Sequence, residues 1–234
     1  MTGSMGALAL AALFLLATHF GLSSTPLRAA LVRTFGERGF LAAYSALAAL
    51  ALAWLVLAWR DAPFVPLWGW SAWQWFLPIA VMPLALVLVV CGLSQPNPSA
   101  VGQGGMVDRG EAPHGILRIT RNPVMWGIGL WAASHMVPNG DLAGMLFFGT
   151  LAVLALLGAV LIDAKKARRH GASWLAFAAE TSNLPFAAVA SGRQSLQRAV
   201  REIGWRRLGV AVLLYAVLLH GHGWLVGVPA TPPL

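Results

Sequence analysis

Apolar residues in this chain run in long blocks, and charged residues are confined to the gaps between them. No Asp, Glu, Lys or Arg occurs at 1–27, 39–59, 62–107, 122–140, 142–162 or 208–234. A helix needs about 20 predominantly apolar residues to cross the hydrocarbon of a bilayer, so each stretch is long enough for one crossing. The second half of 62–107, from Ser94-Gln95-Pro96-Asn97-Pro98 onward, is polar and rich in Pro and Gly, which reads as loop. The pattern predicts six spans, at roughly 5–23, 39–59, 72–93, 122–138, 141–164 and 206–228. The expected fold class is an all-α polytopic transmembrane helical bundle, occupying residues 1–234 as a single domain.

Local signals sharpen the picture. Asn122-Pro123 is a helix start, with Asn able to cap and Pro suited to the first helical position. Asn139-Gly140-Asp141 predicts a tight turn joining the fourth and fifth spans as a hairpin. Ala42, Ala43, Ala46, Ala49 and Ala53 let neighbours approach the second span closely, and Pro78 and Pro83 predict kinks in the third. The stretch 172–190 carries Trp174, Phe177, Leu184 and Phe186 among polar residues. It is too polar to span and is expected at the interface or folded over the mouth of the bundle.

Composition agrees: 58% of residues are hydrophobic and 10% charged, against about 25% charged in soluble domains. The formal charge of +8 invites a nucleic-acid reading. The placement of the charges excludes it, because the basic residues sit in loops between spans, as in loops facing anionic lipid. The first loop holds Arg28, Arg33 and Arg38, the third Arg109, Arg118 and Arg121, and the fifth nine basic residues between Lys165 and Arg207. The second has only Arg60 with Asp61, and the fourth has none. Positive-inside reasoning then expects a bacterial inner-membrane protein with cytoplasmic basic loops and both termini periplasmic. The first 27 residues lack the basic start of a signal peptide and read as a permanent span. The one cysteine, Cys91, permits no internal disulfide, and there is no Cys-x-x-Cys-His motif, so any haem would be held non-covalently.

Candidate chemistry lies in the polar residues of the spans, because an ionisable group in hydrocarbon is costly and faces the bundle interior. His19, His135 and His222 lie in spans, His220 near an outer end, and His114 and His170 in loops. Imidazole ligates haem iron and other metals, although a membrane histidine also often just bonds a neighbouring helix. Counted from the nearest basic-side arginine at about 1.5 Å per residue, His19 lies roughly 13 Å deep, His135 roughly 21 Å and His222 roughly 22 Å. His135 and His222 match best, but tilt can absorb the difference to His19. A second candidate is the basic turn His114 to Pro123. There His114, Arg118 and Arg121 before a helix start could bind an anion, or serve only as a topogenic loop and cap. A third is the run Asp163 to His170, most simply a positive membrane anchor.

The order of several segments resembles the NnrU family of bacterial membrane proteins. They include Thr18-His19 with Ser23-Ser24-x-Pro26-Leu27-Arg28, Gly36-Glu37-Arg38-Gly39-Phe40 with Tyr44-Ser45, and Gly115-Ile116-x-Arg118-Ile119-Thr120-Arg121-x-Pro123. They continue with Leu130-Trp131-x-x-x-His135, Asn139-Gly140-Asp141-Leu142, Leu161-Ile162-Asp163, Pro185-Phe186, Glu202-Ile203-Gly204-Trp205 and His222-x-x-x-x-Gly227-Val228. The resemblance implies a link to nitrite and nitric oxide metabolism and a relation to 15-cis-zeta-carotene isomerase, a membrane protein with haem b. It further implies His19 and His135 as haem ligands; together with the depth reading this makes His222 a candidate supporting or replacement group. The isomerase has a cysteine three residues before the second ligand, where this chain has Ala132. The family usually has Arg-His-Pro, where this chain has Arg121-Asn122-Pro123.

Three expectations follow. The first is a haem b protein of nitrogen-oxide metabolism or an isomerase of an apolar polyene entering from lipid. The second is a non-enzymatic membrane partner of a respiratory protein. The third, from a local resemblance to isoprenylcysteine methyltransferases and sterol reductases, is a cytoplasmic-face cofactor enzyme using His114, Arg118, Arg121 and Lys165–Arg169.

Overall fold

A computed structural model describes residues 3–100 and 103–231. The helices are α1 (Met5–Ser24), α2 (Pro26–Arg60), α3 (Ala72–Ser94), α4 (Gly105–Asp108), α5 (Pro123–Asn139), α6 (Leu142–His170), α7 (Ala172–Glu180), α8 (Ala187–Ala190), α9 (Leu196–Ile203) and α10 (Trp205–Val226), with a 3-10 turn at Gly115–Arg118. Five of them, α1, α2, α3, α6 and α10, are long and apolar enough to cross a membrane. The fourth expected span is α5, which at 17 residues is the short member and packs between α3 and α6. The protein is a multi-pass, all-α membrane bundle. Large apolar side chains, Trp224, Leu50, Leu93 and Leu213 among them, project outward, as a lipid solvent allows. Trp68, Trp70 and Trp73 gather at the α2–α3 connection, where an aromatic belt belongs.

The expected first loop is helical. Thr25 caps α2 by accepting from the Leu27 N–H, and Pro26 takes the first helical position. The helix breaks at Gly36, whose φ of 72° only glycine adopts without strain, and resumes toward Arg60. The three arginines had disguised this segment as a loop. Likewise α6 runs past the expected end at 164 to His170, where Lys165, Lys166, Arg168 and Arg169 favour a helix C-terminus, and stops at Gly171. Helix α3 continues through Pro78 and Pro83. The α5–α6 hairpin forms as expected: Gly140 is left-handed (φ 62°), and Asp141 caps α6 by accepting from the Gly144 N–H at 3.0 Å.

Asn122 departs from its expected role, since its side chain makes no cap bond to α5. Its amide instead donates to Asp163 at 2.9 Å and to Asn183 at 3.3 Å, and Trp126 Nε1 also donates to Asn183. The amide N–H groups are turned to acceptors on neighbouring elements, and that rotamer carries the side-chain oxygen, the atom a cap would use, away from the α5 N–H groups, leaving it without a partner.

Cross-loop hydrogen bonds sort the two ends of the bundle. At one end the Leu67 N–H donates to Gly140 O, Leu142 N–H to Val65 O and Trp68 Nε1 to Val137 O, joining the second and fourth loops. At the other the Arg121 N–H donates to Ser182 O and Phe186 N–H to Ile119 O, joining the third and fifth. Arg28, from the first, is a close charge to Lys165. The basic segments therefore share one end. The stretch 172–190 lies there as α7 and α8, with Trp174 and Phe177 buried against Met106, Val107 and Leu117. It folds over the bundle's basic mouth, as its mixed composition requires.

Candidate functional site

A groove of about 700 Å³ runs between α1, α2, α5 and α6. Its wall on α6 extends from Phe147 to Lys165, about 27 Å at 1.5 Å per residue, or most of the thickness of a bilayer's hydrocarbon. Met125, Ile128 and Trp131 line it from α5, while Leu15, His19, Phe20 and Ser23 line it from α1. Small residues open it: Ala48 and Ala49 on α2 and Ala155 and Gly158 on α6. Ala49 is exposed and Leu52 is 43% exposed on the rim, so the groove opens sideways toward lipid. Its polar side chains, His19, Ser23, Tyr44 and Lys165, sit toward the basic end. Val56, Phe147 and Leu151 make the far half apolar.

The intramembrane histidines fall into two environments. The ring of His19 lies edge-on to Tyr44, 5.7 Å between centroids. That of His135 contacts Trp131, Phe148 and His222, the last at 6.5 Å and 24°. The depth match of His135 and His222 is thus realised as proximity. All three share one feature. Nδ1 of His19 bonds Leu15 O at 2.9 Å, Nδ1 of His135 bonds Trp131 O at 2.7 Å and Nδ1 of His222 bonds Val228 O at 2.6 Å. A carbonyl only accepts, so Nδ1 carries a proton and Nε2 is the ring nitrogen left to ligate. Such a back-bond fixes tautomer and orientation as it does in metal-ligating histidines. Ala132, in place of the thiol, is fully buried in the core with Leu15, Leu55 and Phe148. Cys91 belongs to a different cluster, with Leu88, Ile116 and Ile203.

Arg118 and Arg121 spend their donors inside the protein. Arg118, with its side chain 7% exposed, makes a two-pronged pair with Glu202 (2.7 and 3.0 Å) and donates to Gln194. Arg121 pairs with Asp163 at 2.6 Å. His114 is exposed, 3.9 Å from Glu202. These bonds tie the 3-10 turn to α9 and the start of α5 to α6. In the sequence Asp163 stands at the head of the 163–170 run and Glu202 in one of the family-like segments, but neither is matched to an arginine there, and Asn183 is not singled out. A further signal for Glu202 is that it is the sole acid in 181–234, among five arginines.

The Arg118 guanidinium, the Gly115 N–H and Arg198 hold the Glu202 carboxyl down to about 2, against an ordinary 4.5. A depressed folded-state pKa contributes stability that is complete above the unfolded value and is lost as pH falls through the folded one. Acidification from 4.5 toward 2 is therefore expected to loosen α9 against the 115–118 turn. Hydrogen exchange across 115–120 and 196–203 should accelerate over that window, and Glu202→Gln should abolish the pH dependence.

The chain matches the family described as NnrU protein over residues 7–230. It is similar to a Zea mays protein named 15-cis-zeta-carotene isomerase, chloroplastic, with 32% identity over 100 residues, covering 43% of this chain and 27% of that one. It is also similar to its Arabidopsis thaliana namesake, with 37% identity over 82 residues, covering 35% of this chain and 22% of that one. The matched segments thus span about a quarter of those relatives' length. No solved structure matches the chain. With a match that takes in all six long helices, this protein belongs to the NnrU family.

Proposed function

We propose that this NnrU protein takes a long apolar polyene from the bilayer into the groove between α1, α2, α5 and α6 and isomerises one of its cis double bonds, with haem b as cofactor. The observation that carries the reading is the groove itself: open to lipid, lined mostly by apolar side chains and extending over most of a membrane's thickness. Rotation about a double bond changes no atoms, so the protein has only to bind, orient and keep water out. Phe147, Leu151, Leu154 and Trp131 do the last of these. The groove favours this over a role in nitrogen-oxide metabolism, since a diatomic needs no long slot. The relatives named as carotene isomerases point the same way.

The histidines fit a haem by their donor chemistry. Among the described residues no three His, Cys, Asp or Glu side chains converge as a metal-binding group, but haem iron brings its porphyrin nitrogens and needs only axial ligands. His135 would be one, and His222 or His19 the other, each through Nε2. When bound, the haem supplies the redox-active iron for isomerisation. Positive-inside reasoning places the basic end in the bacterial cytoplasm and both termini in the periplasm.

The test is the absorption spectrum of the purified full chain after haem supply, oxidised and dithionite-reduced, beside chromatography of an added 15-cis polyene. A b-type spectrum is expected in the wild type, lost in His135→Ala and in one of His19→Ala or His222→Ala, whichever removes the second ligand. A wild type that remains colourless rejects the haem, and a haem-loaded protein that leaves the polyene unchanged rejects the isomerase.

A further inference from the structure

The groove's polar residues are not spread along it. On α1, which runs toward the basic end, His19 and Ser23 come last. On α2, which runs away from it, Tyr44 comes first. On α6, Lys165 comes last. Four chemically different side chains from three helices therefore collect at one end, and the far half is hydrocarbon.

Lys165 is the charged member. It lines the groove, is half-buried, and makes no ion pair among the described residues. The charges that act on it most are Arg28 and Arg168, both cationic. The acid closest along its helix, Asp163, is committed to Arg121 and Asn122, and Glu37 pairs with Arg28. A half-buried ammonium facing a cavity, with cations for neighbours, is costly unless an anion joins it. A pure hydrocarbon would leave it unmatched. Each end of the groove calls for one part of the same molecule: a chain lying along Phe147, Leu151 and Val56, and an acidic group at Lys165, at the end where Tyr44 and Ser23 hydrogen-bond each other.

We infer that the groove accepts a single-chain amphiphile with an acidic head, carboxylate or phosphate, its head at Lys165 and its tail toward Phe147. This rests on the groove being the ligand site, and it adds to the apolar polyene a second class of occupant, a chain with an acidic head.

The test is photolabelling of the full chain in phosphatidylcholine vesicles with diazirine-bearing stearic acid and diazirine-bearing stearyl alcohol, read by peptide mapping. In the wild type the acid labels groove peptides of α1, α2, α5 and α6 roughly ten-fold more than the alcohol, about the worth of one charge-assisted contact. Lys165→Gln removes that preference while the alcohol still labels, and Lys165→Arg keeps it. Unlabelled dodecyl phosphate competes and inorganic phosphate at equal concentration does not. Gly158→Phe, which puts a ring into the groove, and Ala48→Phe from the opposite wall suppress both labels. Equal labelling by acid and alcohol overturns the head-group inference and leaves the groove reading standing. Competition by inorganic phosphate overturns it too, since the anion alone would then suffice. Groove peptides that neither probe labels, with label elsewhere, overturn both readings.

Discussion

Glu202→Ala lowers the stability of the basic end by about 3 kcal/mol, the low end of what breaking a buried ion pair costs. The carboxylate accepts from Arg118 Nε and Nη2, from the Gly115 N–H and from Arg198. Removing it strands the guanidinium of Arg118, whose side chain is 7% exposed, with Gln194 as its remaining partner. The loss is of a desolvated charge's partner, so it exceeds what an exposed pair contributes. Arg198, exposed, is such a case, and Arg198→Ala should shift stability by less than about 1 kcal/mol. The double variant Arg118→Met/Glu202→Leu should recover most of the loss, because two apolar side chains replace two desolvated charges. Thermal unfolding in detergent compares these three variants with the wild type, and adding Arg118→Met and Glu202→Leu singly completes the cycle for the pair. A double variant as unstable as Glu202→Ala would show that the charge is not the cause.

The tightest helix contact predicts the second large effect. A Cβ added at Gly127 on α5 would lie 2.7 Å from the carbonyl oxygen of Ala85 and 2.6 Å from Val89 on α3. A backbone oxygen cannot rotate aside, so α3 and α5 must separate. Gly92 of α3 is equally close to Pro123 and Val124, at 2.9 and 2.7 Å, and that contact opens with it. Gly127→Ala should cost about 3 kcal/mol, at the upper end for overpacking, and Gly127→Leu should prevent folding. Between membrane helices such close packing is the association force itself, since burial from lipid adds little. Gly158→Ala is the contrast. Its nearest atom is Met125 Sδ at 3.7 Å, an ordinary contact, so a better helix former there should be neutral or stabilising by up to about 1 kcal/mol. Similar losses for both alanine variants would mean that lost glycine flexibility, rather than the crossing, sets the cost.

Much of the architecture was legible from charge alone. Five expected spans coincide with long apolar helices, and the fourth is the 17-residue α5. The alternation of basic and neutral loops matches the two laced ends. The failures share a cause. Residues 26–35 and 165–170 are charged, so they read as loop. Yet a helix leaving the membrane keeps its hydrogen bonds in water and needs a breaker, Gly36 or Gly171, to change course. The histidines were visible as residues, and depth counting favoured His135 with His222. Depth is only one coordinate, however, and the rotation of α5 and α10 that faces the rings was not in it.

By itself the sequence determined what depends on composition and period: an all-α membrane bundle, its hairpin at Gly140, and which loops share a side. These follow because burying each span in lipid is a local requirement, settled residue by residue along the chain. The tertiary structure alone decided that Arg118 and Arg121 face Glu202 and Asp163, that Asn122 serves α6 and Asn183 rather than its own helix, and that four helices leave a groove with its polar side chains at one end. Those outcomes depend on which faces of α1, α2, α5 and α6 meet. In a lipid solvent that choice rests on the placement of small residues such as Gly127, Ala48 and Gly158, because the hydrophobic effect does not tell one apolar face from another.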